Sequence, residues 1–256
     1  MILAIANQKG GVGKTSTAQT LAAGLNNQKK KTLLIDLDPQ CNLTYSCGVD
    51  PDETKVDIAD LLEKKATAKD AIIHTAEGDF IPGNYLLTDA DLRFGRANRR
   101  EYLLSDAIMP VLDEYKFIII DCPPTIGLLT TNAFVIADSV LIPVEAGIYS
   151  FQGLGQLNNA ILNVKRHCNN NLVINGLLLT RCRNTGLDKQ AKEAVTGITE
   201  KLKTKAYKTI IRESIIVRKS QLARESVLKY SPRSNVAKDY EAFISEFLKG
   251  VKKNGK

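Results

Sequence analysis

Eight residues near the start of the chain, Lys9-Gly10-Gly11-Val12-Gly13-Lys14-Thr15-Ser16, combine three glycines, two lysines and two hydroxyls. Glycines let successive backbone N–H groups turn inward and approach an anion closely. A helix opening directly after them adds free N–H groups and the positive end of its dipole. Lys14 supplies a point charge for the β- and γ-phosphates of a nucleotide, and the Thr15 hydroxyl suits a Mg2+ ligand. The loop from Lys9 to Ser16 is therefore the candidate nucleotide site. Two acids follow in Leu33-Leu34-Ile35-Asp36-Leu37-Asp38-Pro39-Gln40-Cys41-Asn42. Their spacing of two puts both on one face if the strand continues. Asp36 is placed to hold a Mg2+-bound water, and Asp38 to orient the water that attacks a γ-phosphate. A third acid, Asp121, ends the apolar run Phe117-Ile118-Ile119-Ile120 and belongs near the metal. Pro123 and Pro124 stop that strand and stiffen the next loop, as a γ-phosphate-sensing switch requires. Cys122 has no partner cysteine nearby and is read as a small packing residue.

The elements that must position these residues are short apolar runs alternating with longer amphipathic stretches. Strands are expected at Ile2–Ala6, Thr32–Asp36, Phe117–Asp121, Val140–Val144 and Leu172–Thr180, with a weaker one near Ala206–Ile211. Several are apolar almost throughout, as strands buried on both faces of a parallel sheet are. Helices are expected at Lys14–Asn27, Tyr102–Glu114, Gly153–His167 and Lys189–Leu202. The alternation predicts an α/β fold with a doubly wound, mostly parallel sheet flanked by helices. Val49 to Arg100 is less regular and reads as helices and loops over one side. No repeat or linker divides the chain, so residues 1–256 read as one domain.

The composition, 44% hydrophobic and 25% charged, is that of an ordinary globular protein, which argues against disordered, collagen-like and coiled-coil classes. No apolar run reaches the ~18–20 residues of a membrane span. Met1 leads almost directly into an apolar run, with neither a basic region nor a cleavage site, so no secretory signal is read. The five cysteines form no CxxC pair and read as reduced thiols of a cytoplasmic protein. His74 and His167 are isolated. The net charge of +7 is unevenly spread. Lys201 to Lys256 carries 15 basic and 5 acidic residues, a net of +10, leaving −3 for the first 200. That asymmetry suggests a surface for a polyanion, either nucleic acid or anionic lipid.

A standard phosphate loop would have glycine at position 8, where this chain has Gln8 followed by Lys9. The segment resembles the deviant Walker A motif, and Phe117–Asp121 matches a Walker B strand. Together with Asp-Leu-Asp-Pro-Gln-x-Asn, Asp-Cys-Pro-Pro and Ala137-Asp138-Ser139-Val140-Leu141-Ile142-Pro143-Val144-Glu145, the motifs resemble the ParA/Soj family of partition ATPases, from Ile2 to about Phe247. The resemblance implies a deviant P-loop NTPase fold, with ATP and Mg2+ as cofactors. In that family the early lysine, here Lys9, reaches the partner's phosphates across a nucleotide-sandwich homodimer, in the manner of an arginine finger in trans. Lys9, Lys14 and Asp38 are the implied catalytic residues, and Thr15, Asp36 and Asp121 the implied metal set. The ATP-bound dimer would bind DNA without sequence preference. A ParB-type centromere-binding partner would stimulate an otherwise slow hydrolysis and release it, segregating plasmid or chromosome copies on the bacterial nucleoid. Two departures stand out: Cys41 where the family usually has glycine, and Glu145 where many members have glutamine.

No helix-turn-helix is read before Ile2, so DNA contacts are expected from the body of the fold. Arg212, Arg218 and Lys219 are the first candidates, with Arg224 and Arg233 next, and Glu213 and Glu225 dilute the patch. The C-terminal residues Val236, Tyr240, Phe243, Ile244, Phe247, Leu248 and Val251 form one apolar helix face. A closing helix packed on the sheet is the favoured reading. A basic membrane helix, as in the related MinD positioning factors, is the alternative, and membrane contact is not expected. A third class, a small-molecule enzyme resembling dethiobiotin synthetase, would need a substrate pocket of which the sequence gives no sign. Nitrogenase iron proteins would need cluster-ligating cysteines that this chain does not offer.

Overall fold

A computed structural model of the chain describes residues 1–145, 153–183, 195 and 197–254, with side chains to Val251. Seven strands form one sheet: β1 Ile2–Ile5, β2 Thr32–Asp36, β3 Ile73–Thr75, β4 Gly78–Ile81, β5 Phe117–Asp121, β6 Ser139–Glu145 and β7 Val173–Thr180. Their spatial order is β3-β4-β2-β5-β1-β6-β7. Every adjacent pair is parallel except β3 with β4. The mostly parallel, helix-flanked α/β architecture is the one the alternating pattern predicts.

The strands are apolar throughout because the sheet has a hydrophobic layer on each face, and successive side chains serve opposite layers. Leu3, Ile5, Leu34, Phe117 and Ile119 face the helix α1 (Lys14–Asn27) and the C-terminal helix Asn235–Asn254. Ala4, Leu33, Ile35, Ile118 and Ile120 face the layer that holds the helices Leu128–Ile136 and Leu154–His167. The C-terminal helix is the closing helix: Val236, Ala237, Tyr240, Phe243, Ile244 and Phe247 are all buried. Its apolar face is spent inside the fold. Among the described residues no helix is long and apolar enough to cross a membrane.

The register places the site. Ile5 is opposite Asp121, and Asp121 is opposite Asp36. Three neighbouring parallel strands thus end level, and their carboxyl ends release the glycine loop and two acids at one edge. Crevices at such carboxyl ends are where open α/β sheets bind ligands.

Three expectations need correction. The stretch from Val49 to Arg100 is not only helix and loop, because it supplies β3 and β4, whose three and four residues are too short for a clear alternation. Tyr102–Glu114 is not one helix: an α-helix at Leu103–Ile108 gives way to a 3-10 turn over Met109–Glu114, where Pro110 removes an amide donor. Ala206–Ile211 forms no strand. Ala206 makes an isolated bridge to Leu177, and Arg212 one to Cys182. Most of the helix expected at Lys189–Leu202 lies outside the described residues.

Candidate functional site

The glycine loop takes the backbone shape that only its composition permits. Gly11 and Gly13 have φ of 75° and 81°, in the left-handed region that costs an L residue about 1 kcal/mol or more. Gly13 is the residue from which α1 starts, with no side chain capping it and no acid in its first turn. The first amides of α1 therefore point, uncapped, into a cavity. Lys14 is buried and forms no salt bridge among the described residues. A buried ammonium held in no salt bridge among the described residues, beside uncapped helix amides, is a site for an anion of high charge.

That cavity is about 780 Å3 in volume, within the range of nucleotide-sized pockets. Its floor is Gly10, Gly11, Gly13, Lys14, Thr15 and Ser16, and Asp38 stands on one wall. The opposite wall is a segment whose role the sequence did not disclose: Ile211 to Ser214, with Val217, Arg218 and Gln221 of the helix Ile215–Leu222. Gln221 Nε2 lies 3.2 Å from Ser16 Oγ and ties this wall to the loop.

The three acids differ in environment. Asp121 is fully buried, and neither of its carboxylate oxygens has a hydrogen-bond partner among the described residues. Burial pushes it far above the usual carboxylate range, the nearby Asp36 and Asp38 add to the rise, and Thr15 and Lys14 oppose it. An orphaned carboxylate beside a threonine hydroxyl and an anion cradle fits a hard divalent cation, which takes oxygen ligands. Asp36 is also fully buried, but its oxygens are occupied. Oδ2 accepts from the Thr44 amide at 2.9 Å and the Thr44 hydroxyl at 2.7 Å, and Oδ1 accepts from the Asp38 amide at 3.1 Å. It does not line the cavity, and it braces the turn that carries Asp38. Burial raises Asp36 to about 7, against those hydrogen bonds. Asp38 is raised as well, by burial, while the Gln40 amide and the charge of Lys14 pull it down. A carboxylate so raised is a better proton acceptor than an ordinary one.

Cys41 occupies the glycine-like position at the start of the helix Asn42–Ser46 with φ of 52°, so the chain accepts the strain rather than reshaping the turn. Its thiol is pushed up to about 12, chiefly by burial, and burial likewise raises Cys122, which packs in the core.

Lys9 stands at the rim. Its ammonium is 2.7 Å from Glu145 at the end of β6, and its backbone amide is held by Asn7 Oδ1 at 3.0 Å. Asn7 in turn donates to the Pro143 carbonyl at 2.7 Å. From β7, Thr180 Oγ1 donates to the Val12 carbonyl at 2.8 Å, and Arg181 Nη1 to the Gly11 carbonyl at 3.0 Å. The crest of the loop is thus fastened to the ends of β6 and β7.

The candidate polyanion residues divide. Arg212 grips Asp239 of the C-terminal helix through Nε at 2.6 Å and Nη2 at 2.8 Å, so it pins the cavity wall to the core. Arg218 lines the cavity. Lys219, Arg224 and Arg233 are exposed and form no salt bridge among the described residues.

Comparison with known proteins agrees with this geometry. A family model described as an AAA domain matches residues 1–174. The sporulation initiation inhibitor protein Soj of Bacillus subtilis is 38% identical over 244 residues, 93% of this chain and 94% of Soj. The chromosome partitioning protein ParA of Myxococcus xanthus is 35% identical, covering 97% of this chain and 88% of the relative. A solved structure of cobyrinic acid a,c-diamide synthase from Mycobacterium smegmatis with bound ADP and magnesium superposes with a TM-score of 0.82 at 30% identity, covering 98% and 95% of the two chains. The fold is shared by proteins with different named activities, so the fold by itself does not choose among them.

Proposed function

The chain belongs to the ParA/Soj family of partitioning ATPases, and from that premise we propose that it binds Mg2+-ATP, closes into a sandwich homodimer around the nucleotide, binds DNA without sequence preference in that state, and releases it on partner-stimulated hydrolysis. The observation that carries the reading is that the buried Lys14 and the uncapped start of α1 line one cavity, with the buried carboxylate of Asp121 at the strand end beside it.

Within this reading the α1 amides and Lys14 hold the β- and γ-phosphates. Thr15 and Asp121 would hold Mg2+, which neutralises phosphate charge when bound. Asp38 orients a water toward the γ-phosphate and accepts its proton, while Asp36, tied to Thr44, keeps the Asp38 turn in place. Lys9 of a second protomer brings the last positive charge to the transferring group, so hydrolysis is slow until two copies meet. Lys219, Arg224 and Arg233 then serve as phosphate contacts for DNA, with Arg212 and Arg218 committed to the fold and the cavity. A ParB-type protein is the proposed stimulating partner. The buried apolar face of the C-terminal helix favours this reading over the membrane-positioning alternative.

The test is binding to random-sequence duplex DNA with ATP, with ADP and without nucleotide, using the wild type and the Lys219→Ala/Arg224→Ala/Arg233→Ala variant. Tight, salt-sensitive binding with ATP alone, weakened in the variant, is the expected result. Indifference to DNA in every nucleotide state would end the partition reading.

A further inference from the structure

Five charged groups form a ladder across the rim of the cavity. Lys9 Nζ meets Glu145 Oε2 at 2.7 Å, and Arg181 Nη1 meets the other oxygen of Glu145 at 3.6 Å. Arg181 Nη2 meets Glu213 Oε1 at 3.1 Å, and Arg183 meets the same glutamate. The ladder joins the phosphate loop, the end of β6, the end of β7 and the cavity wall. Its first four members are part-exposed, with side-chain exposures of 41% for Lys9, 22% for Glu145, 33% for Arg181 and 29% for Glu213, and Arg183 at the end is exposed.

The charges alternate, and Glu145 is shared. A carboxylate that faces two cations can release one without becoming unpaired. Lys9 can release Glu145 without disturbing its own loop, because that loop is fastened by other bonds. Asn7 holds the Lys9 amide, Thr180 holds Val12 and Arg181 holds Gly11. Arg181 takes the left-handed conformation, with φ of 53°, so the backbone at the end of β7 accepts a cost to put its guanidinium there.

We propose that Glu145 is a positioning residue for Lys9. It holds the ammonium on its own protomer until a partner's nucleotide phosphates compete for it, and Arg181 retains the carboxylate once the lysine has moved. The inference rests on the reading of Lys9 as the lysine that acts across the dimer. No proton or bond is exchanged, and one ionic partner replaces another. A part-exposed ion pair is weak in water, so the latch sets a threshold and does not block dimerisation. A glutamine at position 145 keeps the shape and removes the charge, and so should lower that threshold.

The experiment uses the full chain as wild type, Glu145→Gln, Lys9→Ala and the double variant. The first measurement is made without nucleotide: the rate at which an acetylating reagent modifies Lys9, read by peptide mass spectrometry. Glu145→Gln should raise that rate about two- to fivefold, the range a part-exposed pair supports. The second measurement is the concentration of a slowly hydrolysed ATP analogue, with Mg2+, that half-dimerises the protein in sedimentation. Glu145→Gln should lower it by a similar factor, and the shift should vanish on the Lys9→Ala background. An unchanged acetylation rate or an unchanged midpoint overturns the proposal. A faster acetylation rate with no dimer in any variant overturns the trans-acting reading of Lys9 and with it the latch, while leaving the Lys9–Glu145 pair itself established.

Discussion

Thr44 donates twice to a single oxygen of Asp36, from its amide at 2.9 Å and its hydroxyl at 2.7 Å, and the Gly83 amide then donates to the same hydroxyl at 2.8 Å. One buried acid therefore binds the end of β2, the helix Asn42–Ser46 and the loop after β4. Space there is tight: a Cβ on Gly83 would lie 3.0 Å from the Asp36 carboxyl carbon. Asp36 also accepts from the Asp38 amide at 3.1 Å, and so holds the backbone of the turn that carries Asp38.

The first prediction concerns pH. Folding raises Asp36 from 3.8 to about 7, so between those values the native state binds a proton that the unfolded chain has lost. Stability from this group is full below pH ~4 and is lost as pH rises toward ~7. Urea unfolding at about pH 5 and about pH 8 should show the wild type weaker at the higher pH, and Asp36→Asn should reduce that difference. A wild-type profile without the decline would contradict the burial argument.

Asp121 carries the second. Asp121→Asn removes a buried carboxylate that has no hydrogen-bond partner among the described residues, so the nucleotide-free protein should melt no lower than wild type. The same change should abolish most of the thermal stabilisation given by Mg2+-ATP, which for the wild type is about 2.7 kcal/mol at a hundredfold excess over Kd. Burial raises the folded acid, so Mg2+ binding is expected to compete with a proton there. Titration calorimetry in two buffers of different ionisation enthalpy should detect its release, and affinity for the metal nucleotide should fall as pH falls.

Two glycines of the phosphate loop make a matched pair. An added Cβ at Gly10 would meet nothing within 4 Å, and one at Gly13 would meet only Thr180 at 3.9 Å, so neither site is sterically closed. Gly13 alone of the two has φ in the left-handed region, at 81°. Gly10→Ala should be close to neutral in stability. Gly13→Ala should cost about 1–2 kcal/mol and weaken nucleotide binding, since the start of α1 shifts. Chemical denaturation and nucleotide titration of both variants measure this directly.

The basic segment yields a separation of roles. Arg212→Ala breaks the two-point grip on Asp239 and should lower stability by about 1 kcal/mol while leaving the salt dependence of DNA binding unchanged. Each of Lys219→Ala, Arg224→Ala and Arg233→Ala should leave stability unchanged and reduce the log–log salt slope by about one unit. Equal effects from all four substitutions would refute the division.

Much of the site was legible in the residues themselves. Glycine freedom, strand burial and charge at fixed spacing are local properties, and they placed the loop Lys9–Ser16, the strand ends at Asp36 and Asp121, and the two-layered parallel sheet. The short strands Ile73–Thr75 and Gly78–Ile81 escaped because their partners fix them more than their own pattern does. Pairing across distance decided the rest. The sequence spacing put Asp36 and Asp38 on one face, and only the packed turn shows one enclosed by Thr44 and the other facing the cavity. Arg212 read as a free cation because Asp239, which holds it, is 27 residues away. The cavity wall from Ile211 to Gln221 and the Lys9–Glu145–Arg181 ladder join segments separated by more than a hundred residues. Such contacts are created when the sheet brings the ends of β1, β6 and β7 together, and no local composition encodes them.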